Sequence, residues 1–300
     1  MRVFMTGASG WIGSAVAAEL ITAGHEVVGL ARSEESGAAL VAAGVTPHRG
    51  SLDDLESLRA GAEAADAVAH FGFKHDFSDM AGAGRTERAV LEAFGDVLQG
   101  SDRALLLASG LAGVTPGRVT TETDRNPAEG PDSMRGGGEN LALSFADRGI
   151  RSIAVRFSPT VHGAGGDHGF IATLAEAAVR TGVAGYVGDG ANRWPAVHRS
   201  DAARLVVAAL ETATAGSVVH AVAEEGIATR EIAEALGAAI GVPVESVHPD
   251  AAVEHFGWIG RFFALDTPAS GAITRERFDW TPVEQGLIAD IAAGYYPGVG

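Results

Sequence analysis

The sequence predicts an α/β fold in which helices cover both faces of a parallel β-sheet, followed by a second, smaller lobe. Three observations indicate this fold. Strand-like and helix-like segments alternate over residues 1–157. The strand-like segments are almost continuously apolar, as in strands that are buried on both faces. A glycine-rich turn joins the first strand to the first helix.

The individual elements follow from apolar runs and helical spacing. Short apolar runs predict strands at 2–5, 25–32, 46–50, 66–72, 103–109 and 151–157. Apolar residues at helical spacing predict helices at 11–24, 33–44, 52–65, 84–99 and from the triple glycine 136–138 to about 148. After residue 157 the alternation loosens into long loops at 158–169 and 185–200, and two α/β stretches follow near 200–223 and 227–248.

The composition excludes several classes of function. The chain of 300 residues is 46% hydrophobic and carries a net charge of −16, which disfavours partners such as nucleic acids and anionic membranes. It has no cysteine, and its ten histidines lack the spacing of a metal site, so we expect no metal. We find no signal peptide and no apolar stretch long enough to span a membrane, and therefore expect a cytoplasmic protein.

The segment TGASGWIG (6–13) predicts a dinucleotide site in a Rossmann-type sheet. Gly7 allows a tight turn, Gly10 lets the backbone approach a pyrophosphate at the helix N-terminus, and Gly13 lets helix and strand pack closely. A purely structural turn is the alternative. The residues expected to contact the cofactor here are Gly7, Ser9, Gly10, Trp11, Ile12 and Gly13.

With this turn, the chain resembles the atypical or extended short-chain dehydrogenase/reductases, also described as NAD-dependent epimerase/dehydratase-like proteins. The resemblance covers nearly the whole chain, and TGxxGxxG is that family's form of the turn. Further segments that look like family motifs are HRGSLDD (48–54), AHFGF (69–73), LLLASG (105–110), RFSPTVHG (156–163), GDGANRWPAVHRSDAARL (188–205) and TRERFDWTP (274–282).

The resemblance also implies roles for single residues. Ser109 would be the active-site serine beside the nicotinamide, and Ser51 stands where the family usually has Asp. Cofactor contacts are implied for Leu52, Phe71, Gly72, Lys74, Ser109, Pro159 and Val161, and substrate contacts for Arg193, Trp194 and His198. It implies a dinucleotide-binding core at 1–157 and a mainly substrate-binding lobe at 158–300, with about 197–223 returning to the core.

The end of the second strand, GLARS, predicts which cofactor form binds. It lacks the acidic residue that would accept a hydrogen bond from the ribose 2′-hydroxyl and repel a 2′-phosphate. Arg32 can hold a 2′-phosphate with two hydrogen bonds, and Ser33 can add a hydroxyl. Arg32 as a solvated surface residue is the alternative. We therefore favour NADP(H) over NAD(H).

The family's catalytic pair, Tyr-x-x-x-Lys, is missing. The matching segment is PDSMRGGGENLAL (131–143), which puts Arg135 in the place of Tyr and Glu139 in the place of Lys. The three glycines predict a flexible helix entry rather than a second phosphate site. The candidates for the missing chemistry are Ser109, Lys74, His75, His162 and Arg135.

These features predict an NADP(H)-dependent oxidoreductase that acts on a carbonyl or imine of a small organic substrate with non-standard proton transfer. Two alternatives stay open. One is a non-catalytic NADP(H)-sensing regulator that kept the cofactor fold, and the other is an epimerase or dehydratase of the sugar-nucleotide type. By analogy with relatives, we expect a homodimer that pairs the helices at 84–99 and 137–148.

Overall fold

The computed structural model describes residues 1–74 and 79–296. Its strands are β1 Arg2–Thr6, β2 Glu26–Ala31, β3 Thr46–Arg49, β4 Ala67–His70, β5 Ala104–Gly110, β6 Arg151–Phe157, β7 Thr160–His162, β8 Ala184–Val187, β9 Arg193–His198, β10 Ser217–Ala221, β11 Glu224–Ala228 and β12 Val244–Val247. Its helices are α1 Trp11–Thr22, α2 Glu34–Ala42, α3 Leu55–Glu63, α4 Met80–Leu98, α5 Gly138–Ser144, α6 Phe170–Thr181, α7 Arg199–Thr212, α8 Thr229–Ile240, α9 Ala252–Phe256, α10 Gly260–Phe263, α11 Ala272–Phe278 and α12 Leu287–Ala292.

The main sheet has seven strands in the order β10-β6-β5-β4-β1-β2-β3. β1 pairs in parallel with β2 and β4, β2 with β3, and β4 with β5. The predicted α/β fold with a parallel, Rossmann-type sheet is therefore confirmed. Chain order reverses between β1 and β4, which is the place where open sheets of this kind bind ligands at the carboxyl ends of their strands.

Some predicted element boundaries are wrong. The loops predicted at 158–169 and 185–200 contain β7 and β9, which pair with each other in parallel, and β11 completes their three-stranded sheet. Strands as short as β7 leave too few residues for a period-2 pattern to show. Helix α3 begins at Leu55 rather than at residue 52, because the Asp54 side chain accepts a hydrogen bond from the Ser57 N–H and caps the helix.

The chain divides into two compact units. The first comprises Met1–Ser109, Arg125–Arg156 and Ala203–Val219, and the second comprises Gly110–Asp124, Phe157–Ala202 and His220–Gly300. The functional division at residue 157 stays a prediction.

Each unit has its own hydrophobic core. In the first unit, apolar residues of β1, β4, β5, α3, α4 and α5 pack together around Phe4, Phe94 and Phe145. The apolar faces of α4 and α5 are therefore largely covered within the unit. In the second unit, Trp194 is buried against Phe263 in a core that includes residues of α6, α8 and α12.

Candidate functional site

The glycine turn after β1 has the geometry that the sequence predicts. Gly7 has a φ of +70°, and a Cβ there would lie 2.7 Å from the backbone nitrogen of Gly72. A Cβ on Gly13 would lie 2.1 Å from the carbonyl oxygen of Gly7. Backbone meets backbone at both positions, so neither tolerates a side chain without displacing the turn.

The start of α1 fits an anionic group. Its N-cap is Gly10, which makes no side-chain capping hydrogen bond, and the first turn has no acidic residue. By contrast, Ser33, Asp54 and Asp79 cap α2, α3 and α4 with their side chains. A helix start with no side-chain cap and no carboxylate in its first turn suits a pyrophosphate.

Arg32 and Ser33, which follow β2, differ in their exposure and in their side-chain contacts. Arg32 is exposed and has no ion-pair partner among the residues that the structure describes. The Ser33 hydroxyl instead accepts a hydrogen bond from the Ser36 N–H at 3.1 Å and caps α2. The Arg32 guanidinium can therefore bind an anionic ligand, whereas the Ser33 hydroxyl is already used to cap α2.

The segment after β4 is only partly described. Phe71 and Gly72 are half-buried, and the Gly72 N–H donates to the Thr6 hydroxyl at 2.9 Å. The Lys74 ammonium forms an ion pair with Asp53 at 2.5 Å. His75, predicted as a candidate proton donor, lies outside the described residues.

Ser109 lies near the carboxyl end of β5 and belongs to a buried polar cluster. Its hydroxyl donates to Glu139 Oε2 at 2.5 Å, and the Asn126 amide donates to the same oxygen at 3.2 Å. Arg156 donates to the other oxygen, Glu139 Oε1, from Nε at 3.0 Å and from Nη2 at 2.7 Å. The side chains of Glu139 and Arg156 are only 4% and 1% exposed, so water does not screen this ion pair.

The triple glycine positions Glu139. Arg135, Gly136 and Gly137 all have left-handed backbone conformations, and α5 begins directly after them. A Cβ on Gly136 would lie 2.4 Å from the carbonyl oxygen of Gly84 in α4. The structure thus gives another reason for the glycines than a flexible entry: they let this turn lie directly on a helix backbone.

Arg135 belongs to a second polar cluster in the first unit. Its guanidinium lies 2.8 Å from Glu87 Oε1 and 4.4 Å from the ring centroid of Phe73. On the other side of Glu87, His70 Nε2 lies 3.5 Å from Oε2, and His70 Nδ1 is hydrogen-bonded to the Thr6 hydroxyl at 2.6 Å. Burial raises the pKa of Glu87, but Arg135 and His70 outweigh it and hold the pKa below its usual value. Glu87 is thus ionised and partly neutralises Arg135.

The predicted proton donor His162 and the predicted substrate contacts lie in the second unit, whereas Leu52, a predicted cofactor contact, lies in the first. His162 is fully buried, with Nδ1 2.6 Å from Asp290 Oδ2, and burial lowers its pKa. Arg193 pairs with Asp266 at 2.9 Å. The indole N–H of Trp194 donates to the Leu265 carbonyl at 3.2 Å, and His198 Nδ1 accepts from the Ser200 N–H at 3.2 Å. Their predicted roles, and those of Pro159 and Val161, stay predictions.

Sequence reasoning did not include three members of the Ser109 cluster among the site residues. Glu139 was noticed only as the residue in the place of the family's Lys. Arg156 carried a signal, since it is a charged residue inside the apolar run RSIAVRF. Asn126 lies in a loop with no motif, and nothing in the sequence points to it.

Comparison with known proteins gives relatives over the whole length of the chain. An uncharacterized protein of Schizosaccharomyces pombe is 47% identical over 99% of this chain and 100% of its own. An uncharacterized protein of Saccharomyces cerevisiae is 42% identical over 98% and 99%. A 2-alkyl-3-oxoalkanoate reductase of Stenotrophomonas maltophilia is 28% identical over 81% of this chain and 77% of its own.

Solved structures share the fold. The dTDP-glucose 4,6-dehydratase DesIV of Streptomyces venezuelae, with NAD bound, matches with a TM-score of 0.76 at 19% identity over 100% of both chains. The model of the NAD dependent epimerase/dehydratase family matches residues 3–222. The chain therefore belongs to the NAD dependent epimerase/dehydratase family.

Proposed function

We propose that this protein is an NADP(H)-dependent oxidoreductase that interconverts a carbonyl or imine and its reduced form in a small organic substrate. The observation that carries the proposal is the placement of Ser109 near the carboxyl end of β5, in a buried polar cluster. The glycine turn follows β1, and only β4 separates β1 from β5 in the sheet. The carboxyl ends of parallel strands meet at one edge, so a dinucleotide on the turn can extend toward Ser109.

Different residues of the first unit bind different parts of the cofactor and the substrate. The glycine turn and the start of α1 hold the pyrophosphate, and Arg32 holds the 2′-phosphate of NADP(H). The bound nicotinamide supplies or accepts the hydride. Ser109 orients the reacting group of the substrate by a hydrogen bond. Arg135 adds a cation whose charge Glu87 partly offsets, and it is too basic to transfer protons.

Two findings support an oxidoreductase with a nicotinamide cofactor. The related Stenotrophomonas protein is named as a reductase, and DesIV was solved with NAD. The sugar-nucleotide alternative has support from the name of DesIV, but the segment in the position of the family's Tyr-x-x-x-Lys pair contains neither residue. A regulator that only senses NADP(H) would bind it without consuming it.

No described helix is long and apolar enough to cross a membrane. A cytoplasmic location stays a prediction.

Turnover tests the proposal. The purified protein is mixed with NADPH and a panel of ketones, aldehydes and cyclic imines, and loss of NADPH absorbance is recorded. We expect turnover with part of the panel and a far larger loss of kcat than of NADPH affinity in Ser109→Ala. Binding of NADPH without consumption across the panel contradicts the oxidoreductase and favours the sensor. An unchanged kcat in Ser109→Ala removes Ser109 from the mechanism.

The variant Arg32→Asp tests the cofactor form. Losing a charge-assisted hydrogen bond to the 2′-phosphate costs about 1.5–3 kcal/mol, which is roughly ten- to a hundredfold in affinity. The introduced carboxylate also repels this phosphate and can accept a hydrogen bond from the ribose of NADH. We expect the ratio of kcat/KM for NADPH over NADH to fall about tenfold or more. A wild type that prefers NADH, or a ratio that does not move, contradicts the assignment.

A further inference from the structure

We propose that Glu139, acting through the Ser109 hydroxyl, accepts and returns the proton of the reaction. This inference rests on the proposed function and deepens it. It assigns the task of the missing tyrosine to two residues that contact each other in the first unit.

The Ser109 hydroxyl donates its hydrogen bond to Glu139. The described contacts to the Glu139 carboxylate come from donors: Ser109 and Asn126 at Oε2, and Arg156 at Oε1. The single proton of the Ser109 hydroxyl therefore points to Glu139. Ser109 can then offer a ligand its lone pairs, which match an O–H or N–H donor of the substrate.

The Arg156 guanidinium contacts one of the two oxygens of the Glu139 carboxylate. Both contacting guanidinium nitrogens lie on the same oxygen, Oε1, at 3.0 and 2.7 Å. Arginine–carboxylate pairs are frequently bidentate, with two parallel N–H···O hydrogen bonds. Here Oε2 is left to Ser109 and Asn126. Arg156 is the buried ion-pair partner of this carboxylate, and the Asn126 amide holds the oxygen that faces Ser109.

The reaction then balances over these groups. In the oxidation direction the alcohol O–H proton moves to Ser109 Oγ while the proton of Ser109 moves to Glu139 Oε2. The C–H bond at the carbinol carbon breaks, and its hydride goes to the oxidised nicotinamide. The products are the carbonyl compound, reduced cofactor and a protonated Glu139, which later loses its proton to solvent. Carbonyl reduction uses the same path in reverse.

A covalent probe tests this proton path without knowledge of the substrate. Methanesulfonyl fluoride is small enough for a mostly buried serine: Ser109 Oγ attacks sulfur, fluoride leaves, and the hydroxyl proton passes to Glu139. Mass spectrometry of peptides locates and quantifies the label. We expect Ser109 to be labelled in the wild type. In Glu139→Gln the labelling rate should fall at least about a hundredfold, which is within the range of general-base contributions. Glu122→Gln, the same change at a buried glutamate of the second unit, should keep the wild-type rate.

Two results overturn the proton path. One is labelling of Glu139→Gln at the wild-type rate, and the other is absence of label from Ser109 in the wild type. Glu139→Gln leaves the buried Arg156 charge without its partner, and this can unfold the protein. The double variant Glu139→Gln with Arg156→Gln removes both charges together. It carries the same expectation, and circular dichroism verifies its fold.

Kinetics separate this inference from the proposed function. With NADP⁺ and a panel of secondary alcohols and amines, we expect the wild type to turn over part of the panel. Glu139→Gln should lower kcat roughly a hundredfold or more, while the KM for NADP⁺ stays within about twofold. Turnover that survives Glu139→Gln overturns the inference and leaves the oxidoreductase standing. Glu139-dependent labelling with no turnover of any alcohol, amine, carbonyl compound or imine supports the proton path and contradicts the oxidoreductase.

Discussion

Replacing Gly136 with Ala should destabilise the first unit strongly, because the new methyl group meets a backbone atom. Gly136 has a φ of +60°, and its Cβ would lie 2.4 Å from the carbonyl oxygen of Gly84. Backbone in the second turn of α4 cannot move aside as the end of a flexible side chain can. The turn would have to lift from the helix and carry the start of α5 with it.

The size of the effect follows from three contributions. A left-handed backbone costs an L-residue about 1–2 kcal/mol. Ala also restricts the unfolded chain, which returns about 0.4–1 kcal/mol. Overpacking adds about 1–3 kcal/mol of destabilisation. We therefore expect Gly136→Ala to lower the free energy of unfolding by about 2–4 kcal/mol.

A matched control isolates the steric part. Gly100 lies in the same unit with a φ of +69°, and a Cβ there would meet nothing within 4 Å. Gly100→Ala should therefore cost only about 1 kcal/mol. Scanning calorimetry of the two variants should show Gly136→Ala melting several degrees lower, since about 1 kcal/mol shifts Tm by roughly 2–4 °C in a domain of this size. Equal melting temperatures would refute the argument that the approach to Gly84 requires this glycine.

Three further predictions concern charge and assembly. Glu87→Gln should cost about 3 kcal/mol at pH 7 by leaving the Arg135 charge without its carboxylate. Because the pKa of Glu87 is held below its usual value, the stability that Glu87 contributes is present above about pH 4.3 and is lost as the pH falls below it. The urea midpoints of the wild type and Glu87→Gln should therefore converge as the pH is lowered through this range. Arg135→Tyr with Glu139→Lys should not raise turnover, since the lysine would face a buried arginine, and a clear gain would contradict this. Light scattering at micromolar concentration should show a homodimer; because the apolar faces of α4 and α5 lie largely in the unit's own core, pairing of the helices at 84–99 and 137–148 would use their other faces, and a monomer would contradict it.

The sequence alone determined the fold class, the glycine turn and the position of Ser109 at a strand end. Each depends on short-range information: the alternation of apolar strands and helices, three glycines within seven residues, and a serine that closes an apolar run. Neighbouring residues define these patterns, and backbone sterics and burial impose them without reference to distant parts of the chain.

Only the tertiary structure decided what surrounds Ser109 and why the three glycines stand together. Glu139 is 30 residues from Ser109 and 17 from Arg156 along the chain, and the three meet because α5 packs beside β5 and β6. Gly136 needs its missing side chain because of Gly84, on a helix that lies far earlier in the sequence. Contacts of this kind leave no local pattern, because the free energy of a buried charge or of a close backbone approach depends on partners that only the folded chain brings together.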